Sequence, residues 1–158
     1  MHDETSKELR TTLTSAGKLE LSIVTVPMPE PREGEVLLKV EASPINPSDL
    51  GLLLGPADVS SLSITGSGDN TVASMDVPEA MMPAMQARLD AALPVGNEGA
   101  GVVIAAGAGA EHLVGQTIGV AGGAMYSQYR CVPAASCIVM NEGTTSAQGA
   151  SCFVNPLT

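Results

Sequence analysis

The first half of the chain contains apolar runs that predict β-strands. Thr11–Thr14 and Leu19–Val26 flank a glycine-containing connection, Ser15–Lys18, and this arrangement predicts a hairpin. Glu35–Ala42 alternates apolar and polar positions and is rich in Val and Leu, so it is the strongest strand prediction in the chain. The proline-rich stretch Pro27–Gly34 predicts a connector, because proline fits neither a helix interior nor a central strand.

The middle of the chain departs from this pattern. Ser60–Asp76 consists mostly of Ser, Gly, Asp, Asn and Thr, and predicts a mobile surface loop because it buries too little apolar surface to offset its ordering entropy. Four apolar residues then recur at helical spacing, which predicts a short amphipathic helix started or kinked near Pro83. The four residues are Met81, Met85, Leu89 and Ala92. A helix docked on the barrel is the preferred interpretation, ahead of a lid that touches the substrate.

After Gly99, short runs of Val, Ile and Ala alternate with glycine-rich turns, which is typical of a β-barrel or sandwich. The predicted strands are Val102–Ala106, Thr117–Val120, Tyr126–Val132 and Cys137–Met140. A helical pattern over Thr145–Val154 is predicted to stop before Asn155–Pro156, because the residue before a proline disfavours helix. These elements predict a single, mainly β domain over residues 1–158.

Composition and charge exclude several classes of function. Seventeen acidic and seven basic residues give a net charge of −10, which argues against binding to nucleic acid or to anionic membrane surfaces. No apolar run approaches the roughly 18 residues of a membrane span, and the acidic Met1–Glu8 does not resemble a signal peptide. Three cysteines without short paired spacing suit a reducing compartment as small hydrophobic residues. A cytoplasmic protein is therefore expected.

Five short segments together resemble one enzyme family. The segments are Ser43–Asp49 (Ser-Pro-Ile-Asn-Pro-Ser-Asp), Gly96–Val103 (Gly-Asn-Glu-Gly-Ala-Gly-Val-Val), Gly115–Val120, Ala124–Tyr129 and Phe153–Thr158. In this order they resemble the N-terminal, GroES-like catalytic domain of the zinc-independent medium-chain dehydrogenase/reductases, in the quinone oxidoreductase branch. The resemblance covers about Leu19 to Thr158. It implies a GroES-like, partly open β-barrel with a few short helices, and marks residues 56–93 as an inserted loop plus helix.

The resemblance also implies where a cofactor and a substrate would lie. It implies NADPH, or NADH, as cofactor, with Asn46, Asp49 and Thr158 near the nicotinamide. We expect a pocket for a small-molecule substrate lined by Leu53, Leu54, Asn97 and Tyr126, with packing in the core as the alternative for the two leucines. It also places Glu98 beside the cleft, where we expect it to satisfy backbone amides. The residues themselves support a second interpretation, in which Asn46 and Asp49 cap a helical turn over Ser48–Leu54. No catalytic residue is assigned.

Two features of related enzymes are missing from this sequence. Zinc alcohol dehydrogenases of similar architecture carry Cys and His ligands where this chain has Asn46 and Asn97, and a neutral amide is a poor zinc ligand. No metal site is therefore expected. Gly107–Ala110 lacks the third glycine of a dinucleotide-binding fingerprint and predicts a turn between strands. The family's Rossmann domain would follow Thr158, so we expect a fragment of a two-domain enzyme, inactive alone and dimeric when complete.

The function implied is zinc-independent hydride transfer from a reduced nicotinamide to a quinone or another electron-poor enone or carbonyl. An enoyl-thioester reductase is an alternative, but Gly55–Ala57 stands where that class has a tyrosine proton donor, and Gly51 where quinone reductases often have a tyrosine. Another alternative is a non-catalytic association module that docks through the Met-rich face of residues 56–93. The acceptor, the choice between NADPH and NADH, and the number of subunits stay open.

Overall fold

Two antiparallel sheets of five strands each make up most of the computed structural model, which describes residues 5–157 except the side chains of Asn155 and Leu157. The strands are β1 (Thr5–Leu13), β2 (Lys18–Pro27), β3 (Glu35–Ala42), β4 (Asp58–Thr65), β5 (Val72–Asp76), β6 (Ala92–Pro94), β7 (Glu98–Ala106), β8 (Thr117–Ala121), β9 (Tyr129–Pro133) and β10 (Cys137–Val139). The α-helices are α1 (Pro47–Leu53), α2 (Ser146–Gly149) and α3 (Val154–Leu157). Short 3₁₀ helices occupy Gly68–Asn70, Glu79–Arg88, Glu111–Leu113 and Ala134–Ser136.

The first sheet has the strand order β4-β5-β2-β1-β6, and the second has the order β10-β8-β7-β3-β9. The backbone at residues 126–128 connects them. The Leu9 amide donates to the Tyr126 carbonyl over 2.8 Å, and the Val40 amide donates to the Gln128 carbonyl over 2.9 Å. The arrangement is therefore a partly open barrel, and the predicted mainly β, GroES-like fold class is confirmed.

Each sheet carries its own apolar cluster. In the first sheet, Leu13, Leu19, Met75 and Val77 form a cluster of buried side chains. The second cluster lies on the inner face of the other sheet. Its buried members are Val36, Leu38, Val103, Ala110, Leu113, Ile118, Val120, Met125 and Val132. Both clusters consist of aliphatic side chains and methionine, as expected for a chain with only one Phe, two Tyr and no Trp.

Most of the strand predictions are confirmed. β1 and β2 form the predicted hairpin, with Leu13 paired to Leu19 across the turn. β3 has the predicted bounds, and Gly107–Ala110 is a turn followed by a 3₁₀ helix and β8. β7 begins earlier than predicted, at Glu98, while β9 begins only at Tyr129. The difference at β9 arises because Tyr126 and Gln128 hydrogen-bond to β1 and β3 in the junction between the sheets.

The prediction of a mobile loop over Ser60–Asp76 is wrong. This stretch forms most of β4, the 3₁₀ turn at Gly68–Asn70, and β5, which pairs with β2 so that Met75 lies opposite Leu19. Met75 is buried, while β4 is an edge strand with nearly every side chain exposed. The loop was predicted because few side chains of this stretch can be buried. The hydrogen bonds of the β-ladder also order a polar strand, however, and side-chain composition does not reveal them.

The amphipathic α-helix predicted from Met81 to Ala92 is also wrong. Glu79–Arg88 is a 3₁₀ helix with Pro83 inside it, and Ala92 begins β6. Proline lacks the amide hydrogen that an α-helical ladder needs at this position. Met82, Met85 and Leu89 pack against the first cluster. Met82 and Met85 are therefore partly covered by the first cluster, while Met81 stays 42% exposed.

The C-terminal helix is shorter and differently placed than predicted. Thr145 caps α2, which spans only Ser146–Gly149, and α3 continues through Asn155–Pro156. A proline is tolerated there because α3 is a single turn, in which few backbone amides have partners inside the helix. No helix among residues 5–157 is both long enough and apolar enough to span a membrane.

Candidate functional site

The N-terminus of α1 carries the first predicted motif. Asn46 precedes the helix in an extended conformation, and Pro47 occupies its first turn. The Asp49 carboxylate reaches back, and its Oδ2 accepts a hydrogen bond from the Asn46 amide over 2.8 Å. Asn46 is 3% exposed and Asp49 is 2% exposed. Asp49 therefore caps the start of α1 as predicted, whereas Asn46 occupies the N-cap position without a side-chain cap hydrogen bond.

Asp49 also joins the first motif to the second. Its Oδ1 accepts a hydrogen bond from the backbone amide of Asn97 over 2.9 Å. The Asn97 side chain in turn donates through Nδ2 to Ser48 Oγ over 2.9 Å. One buried carboxylate therefore fixes α1 against the loop that precedes β7. Asn97 is half-buried and Ser48 is exposed, so these two polar side chains lie at the accessible rim of the site.

Glu98 joins the same site to the end of the described chain. The side chain is 1% exposed, and its Oε1 accepts from Asn46 Nδ2 over 2.9 Å. Its Oε2 accepts from the backbone amides of Phe153 and Val154, each over 3.0 Å. Glu98 therefore satisfies backbone amides, which is the architectural role expected from the sequence. Three of the five resemblance-bearing segments therefore meet at the two carboxylates Asp49 and Glu98.

Tyr126 closes one side of this group. Its hydroxyl donates to the Pro44 carbonyl over 2.9 Å. The ring lies against Gly96, where an added Cβ would be 2.7 Å from the Tyr126 Cδ1 atom and where φ is +98°. Burial, and then the nearby Asp49 carboxylate, raise the pKa of Tyr126 to about 12. The phenol therefore stays neutral at physiological pH.

The remaining predicted residues are not all brought to this group. Leu54 packs against the first apolar cluster, and Leu53 is buried. Thr158 lies outside the described residues. Sequence reasoning gave no role to Ser48, or to the amides of Phe153 and Val154. Ser48 lies inside the first motif, and this position could have indicated that it belongs to the site. A backbone amide cannot be found in this way, because every residue other than proline has one.

The donor groups at this site do not suit zinc. Among residues 5–157, no group of three or more His, Cys, Asp or Glu side chains is arranged to hold a metal ion. The amide nitrogens of Asn46 and Asn97 donate hydrogen bonds here, and Asp49 and Glu98 accept them from protein groups. Zinc prefers thiolate and imidazole ligands around an open position.

The three cysteines lie away from any pairing partner. Cys131, Cys137 and Cys152 are free thiols and half-buried. Burial raises the pKa of each thiol above its ordinary value. They stay protonated at neutral pH and behave as small apolar side chains.

Comparison with solved structures places the whole chain on one known fold. An Escherichia coli quinone oxidoreductase complexed with NADPH matches with a TM-score of 0.62 and 18% identity, over 96% of this chain and 38% of that one. A Mesorhizobium loti protein assigned as an NADPH:quinone reductase matches with a TM-score of 0.64 and 23% identity, over 99% of this chain and 42% of that one. At these identities the likeness establishes the fold.

A curated relative supports the same fold assignment from sequence. A zinc-type alcohol dehydrogenase-like protein of Schizosaccharomyces pombe is 29% identical over 143 residues, which is 85% of this chain. The match spans 34% of that relative's length, so the chain corresponds to about a third of it. No family profile matches the chain.

Proposed function

We propose that this chain, a GroES-like domain of the medium-chain dehydrogenase/reductase type, is the catalytic-domain portion of an NADPH-dependent oxidoreductase. The acceptor is a quinone or another electron-poor enone or carbonyl, and the reaction does not use zinc. We propose further that the complete protein is a homodimer. The fold likeness to a quinone oxidoreductase complexed with NADPH supports the cofactor class.

The observation that carries this proposal is the connected network at the start of α1. Asp49 and Glu98 together accept five hydrogen bonds, two from Asn46, one from Asn97 and two from the backbone of Phe153 and Val154. Such a network holds side chains in fixed positions, which a binding site for a reacting pair requires. It leaves the polar groups of Ser48 and Asn97 at the accessible rim.

The chemistry assigned to the protein is positional. A bound reduced nicotinamide would supply a hydride, and a quinone would take that hydride and one proton, supplied by water, to become a hydroquinone. Asn97 and Ser48 orient the polar part of the acceptor at the rim. Tyr126 keeps its proton, because its pKa is about 12, and holds the Pro44 carbonyl in place.

The donor set supports the zinc-independent form of the reaction. Asn46 and Asn97 stand where the resemblance implies the metal ligands of zinc alcohol dehydrogenases, and here both amides link protein segments. An enoyl-thioester reductase gains no support, because Gly51 and Gly55 leave no proton-donating side chain at the end of α1.

The test uses the complete protein that carries this chain. NADPH oxidation is followed by loss of its absorbance, with and without a para-quinone, before and after dialysis against a metal chelator. The proposal expects quinone-dependent oxidation that survives chelation. No quinone-dependent oxidation would overturn the function, and activity that is lost on chelation and restored by zinc would overturn its zinc independence.

A matched pair of variants tests the site itself. Asn97→Ala removes the half-buried amide at the rim and is expected to lower kcat/KM about tenfold, which corresponds to about 1.4 kcal/mol of transition-state stabilisation. Asn141→Ala changes an exposed asparagine beyond β10 and is expected to leave kcat/KM unchanged. Equal kcat/KM values for the two variants would remove Asn97 from the proposed site.

A further inference from the structure

The inner face of the β1–β2 hairpin is covered at one end and open at the other. Leu13 pairs with Leu19, and both are fully buried. Residues two apart on a strand point to the same face, so the pair Leu9 and Ile23 lies on that face as well. Yet Leu9 is half-buried, and Ile23 is 41% exposed. The packing that buries this face therefore ends between the pair Leu13 and Leu19 and the pair Leu9 and Ile23.

β3, in the opposite sheet, shows the same gradient along its length. Val36 and Leu38 are fully buried, whereas Val40 and Ala42, further along the strand, are half-buried. The two sheets thus separate at corresponding ends. The backbone at residues 126–128 remains hydrogen-bonded to β1 and to β3, so the separation is bridged on one side.

The separation leaves an open cleft of about 560 Å³, which we call the inter-sheet cleft. Its apolar lining comes from Leu9, Ile23, Val40, Ala42 and Met125, and Tyr126 forms part of the wall. Small-molecule sites in proteins commonly have volumes of about 300–1,000 Å³ and mainly apolar linings with a few polar groups. The inter-sheet cleft has both properties.

The charges around the cleft select against anions. Lys7, the lining cation, pairs with Asp69. Glu8 is held by Arg10, and Glu41 accepts a hydrogen bond from Ser146 Oγ over 2.8 Å. The lining therefore contains three carboxylates and one ammonium group, in a chain of net charge −10. An anionic ligand would meet repulsion here, whereas an uncharged apolar ligand would not.

We propose that the inter-sheet cleft is a binding site for an uncharged apolar small molecule, which packs its ring or alkyl group against Leu9 and Ile23. The inference rests on the separation of the two sheets, and the cleft shares Tyr126 with the site of the oxidoreductase proposal. Binding would cover the exposed part of Ile23, and the removal of apolar surface from water favours association.

A pair of fluorescent probes of similar size tests the proposal on the 158-residue chain. N-phenyl-1-naphthylamine is uncharged, and 8-anilino-1-naphthalenesulfonate is an anion. The expected result is saturable fluorescence enhancement with the uncharged probe and weaker binding of the anion. No saturable binding of the uncharged probe, or tighter binding of the anion, would overturn the proposal.

Two variants locate the binding. Ile23→Glu places a carboxylate on the cleft wall and is expected to raise the Kd of the uncharged probe at least about tenfold. Ile64→Glu makes the same change on β4, where the side chain is 65% exposed and does not line the cleft, and should leave the Kd within about twofold. An unchanged Kd for Ile23→Glu would refute the location.

Far-ultraviolet circular dichroism checks that each variant is folded. A third variant is used if Ile23→Glu does not fold. If Ile23→Glu is unfolded, Ala42→Phe decides the question, because it fills the cleft from β3 without adding a charge. The proposal expects this variant to bind the uncharged probe at least about tenfold more weakly. Binding equal to that of the wild type would count against the inter-sheet cleft.

Discussion

The hydrogen bond between Asn46 and Glu98 allows a quantitative test of the network. Asn46→Asp replaces the donating amide with a carboxylate, whose oxygen would face Glu98 Oε1 across the present 2.9 Å. Both positions are nearly inaccessible, with 3% and 1% exposure. At an effective dielectric constant of about 20, two unit charges at that distance repel by about 6 kcal/mol.

The protein can avoid this repulsion by keeping one proton on the pair. Holding a proton at pH 7 on a carboxyl group of ordinary pKa, about 4, costs about 4 kcal/mol. This smaller figure sets the expected loss of unfolding free energy for Asn46→Asp at pH 7. Because the folded state then binds a proton that the unfolded state has released, the loss shrinks by about 1.4 kcal/mol for each unit of acidification down to about pH 4.

Urea denaturation followed by circular dichroism between pH 4 and pH 8 measures this dependence, and Asn46→Ala is the uncharged control. The double variant Asn46→Asp with Glu98→Gln exchanges the donor and the acceptor. Its glutamine amide can donate to position 46, while its oxygen still accepts from the amides of Phe153 and Val154. We expect most of the lost stability to return. A pH-independent loss in Asn46→Asp, or no recovery in the double variant, would refute the reasoning.

Three further predictions concern packing and titration. Thr11→Val should raise the unfolding free energy by about 1 kcal/mol, because the buried Thr11 hydroxyl has no hydrogen-bond partner among the described residues; an unchanged urea midpoint would contradict this. Gly101→Ala should lower the unfolding free energy by about 3 kcal/mol, since the new Cβ would lie 1.9 Å from the Lys39 carbonyl oxygen. Gly51→Ala, in α1, should raise the unfolding free energy by up to about 1 kcal/mol, because the space around Gly51 is open. The opposite order of the two variants in urea denaturation would be inconsistent with the fold. The difference between the absorbance titrations of the wild type and of Tyr126→Phe should show ionisation of a phenol near pH 12. An unfolded tyrosine ionises near pH 10, so the unfolding free energy of the wild type should fall, relative to that of the variant, as the pH rises from about 10 to about 12.

The strands that could be predicted from sequence are those whose side chains alternate between core and solvent. Glu35–Ala42 was predicted with the observed bounds because its Val and Leu residues supply both pattern and burial. β4 could not be predicted in this way, because its side chains are almost all exposed and the strand forms by backbone pairing to β5. At Glu79–Arg88 the side-chain spacing predicts an α-helix, but the segment is a 3₁₀ helix with Pro83 inside it, where proline cannot donate to an α-helical ladder.

The candidate site was predictable only in part, for a related reason. A motif brings Asn46 and Asp49 to one helix turn, so their capping geometry follows from local sequence. The contacts of Glu98 with Phe153 and Val154 join residues that are more than fifty positions apart. They depend on how the two sheets and α3 are placed, and no short-range pattern encodes that placement. Leu54, which was predicted to line a pocket, also packs against the first cluster.

The two asparagines link segments of the site through protein hydrogen bonds. Asn46 donates to Glu98 and Asn97 donates to Ser48, so each amide joins two parts of the chain. Asp49 adds a further link through the Asn97 backbone. A buried carboxylate is tolerable when several donors point at it, and Glu98 has three. The polar network thus has a structural cause that is independent of the proposed reaction, and variants that break it should lose stability as well as the proposed activity.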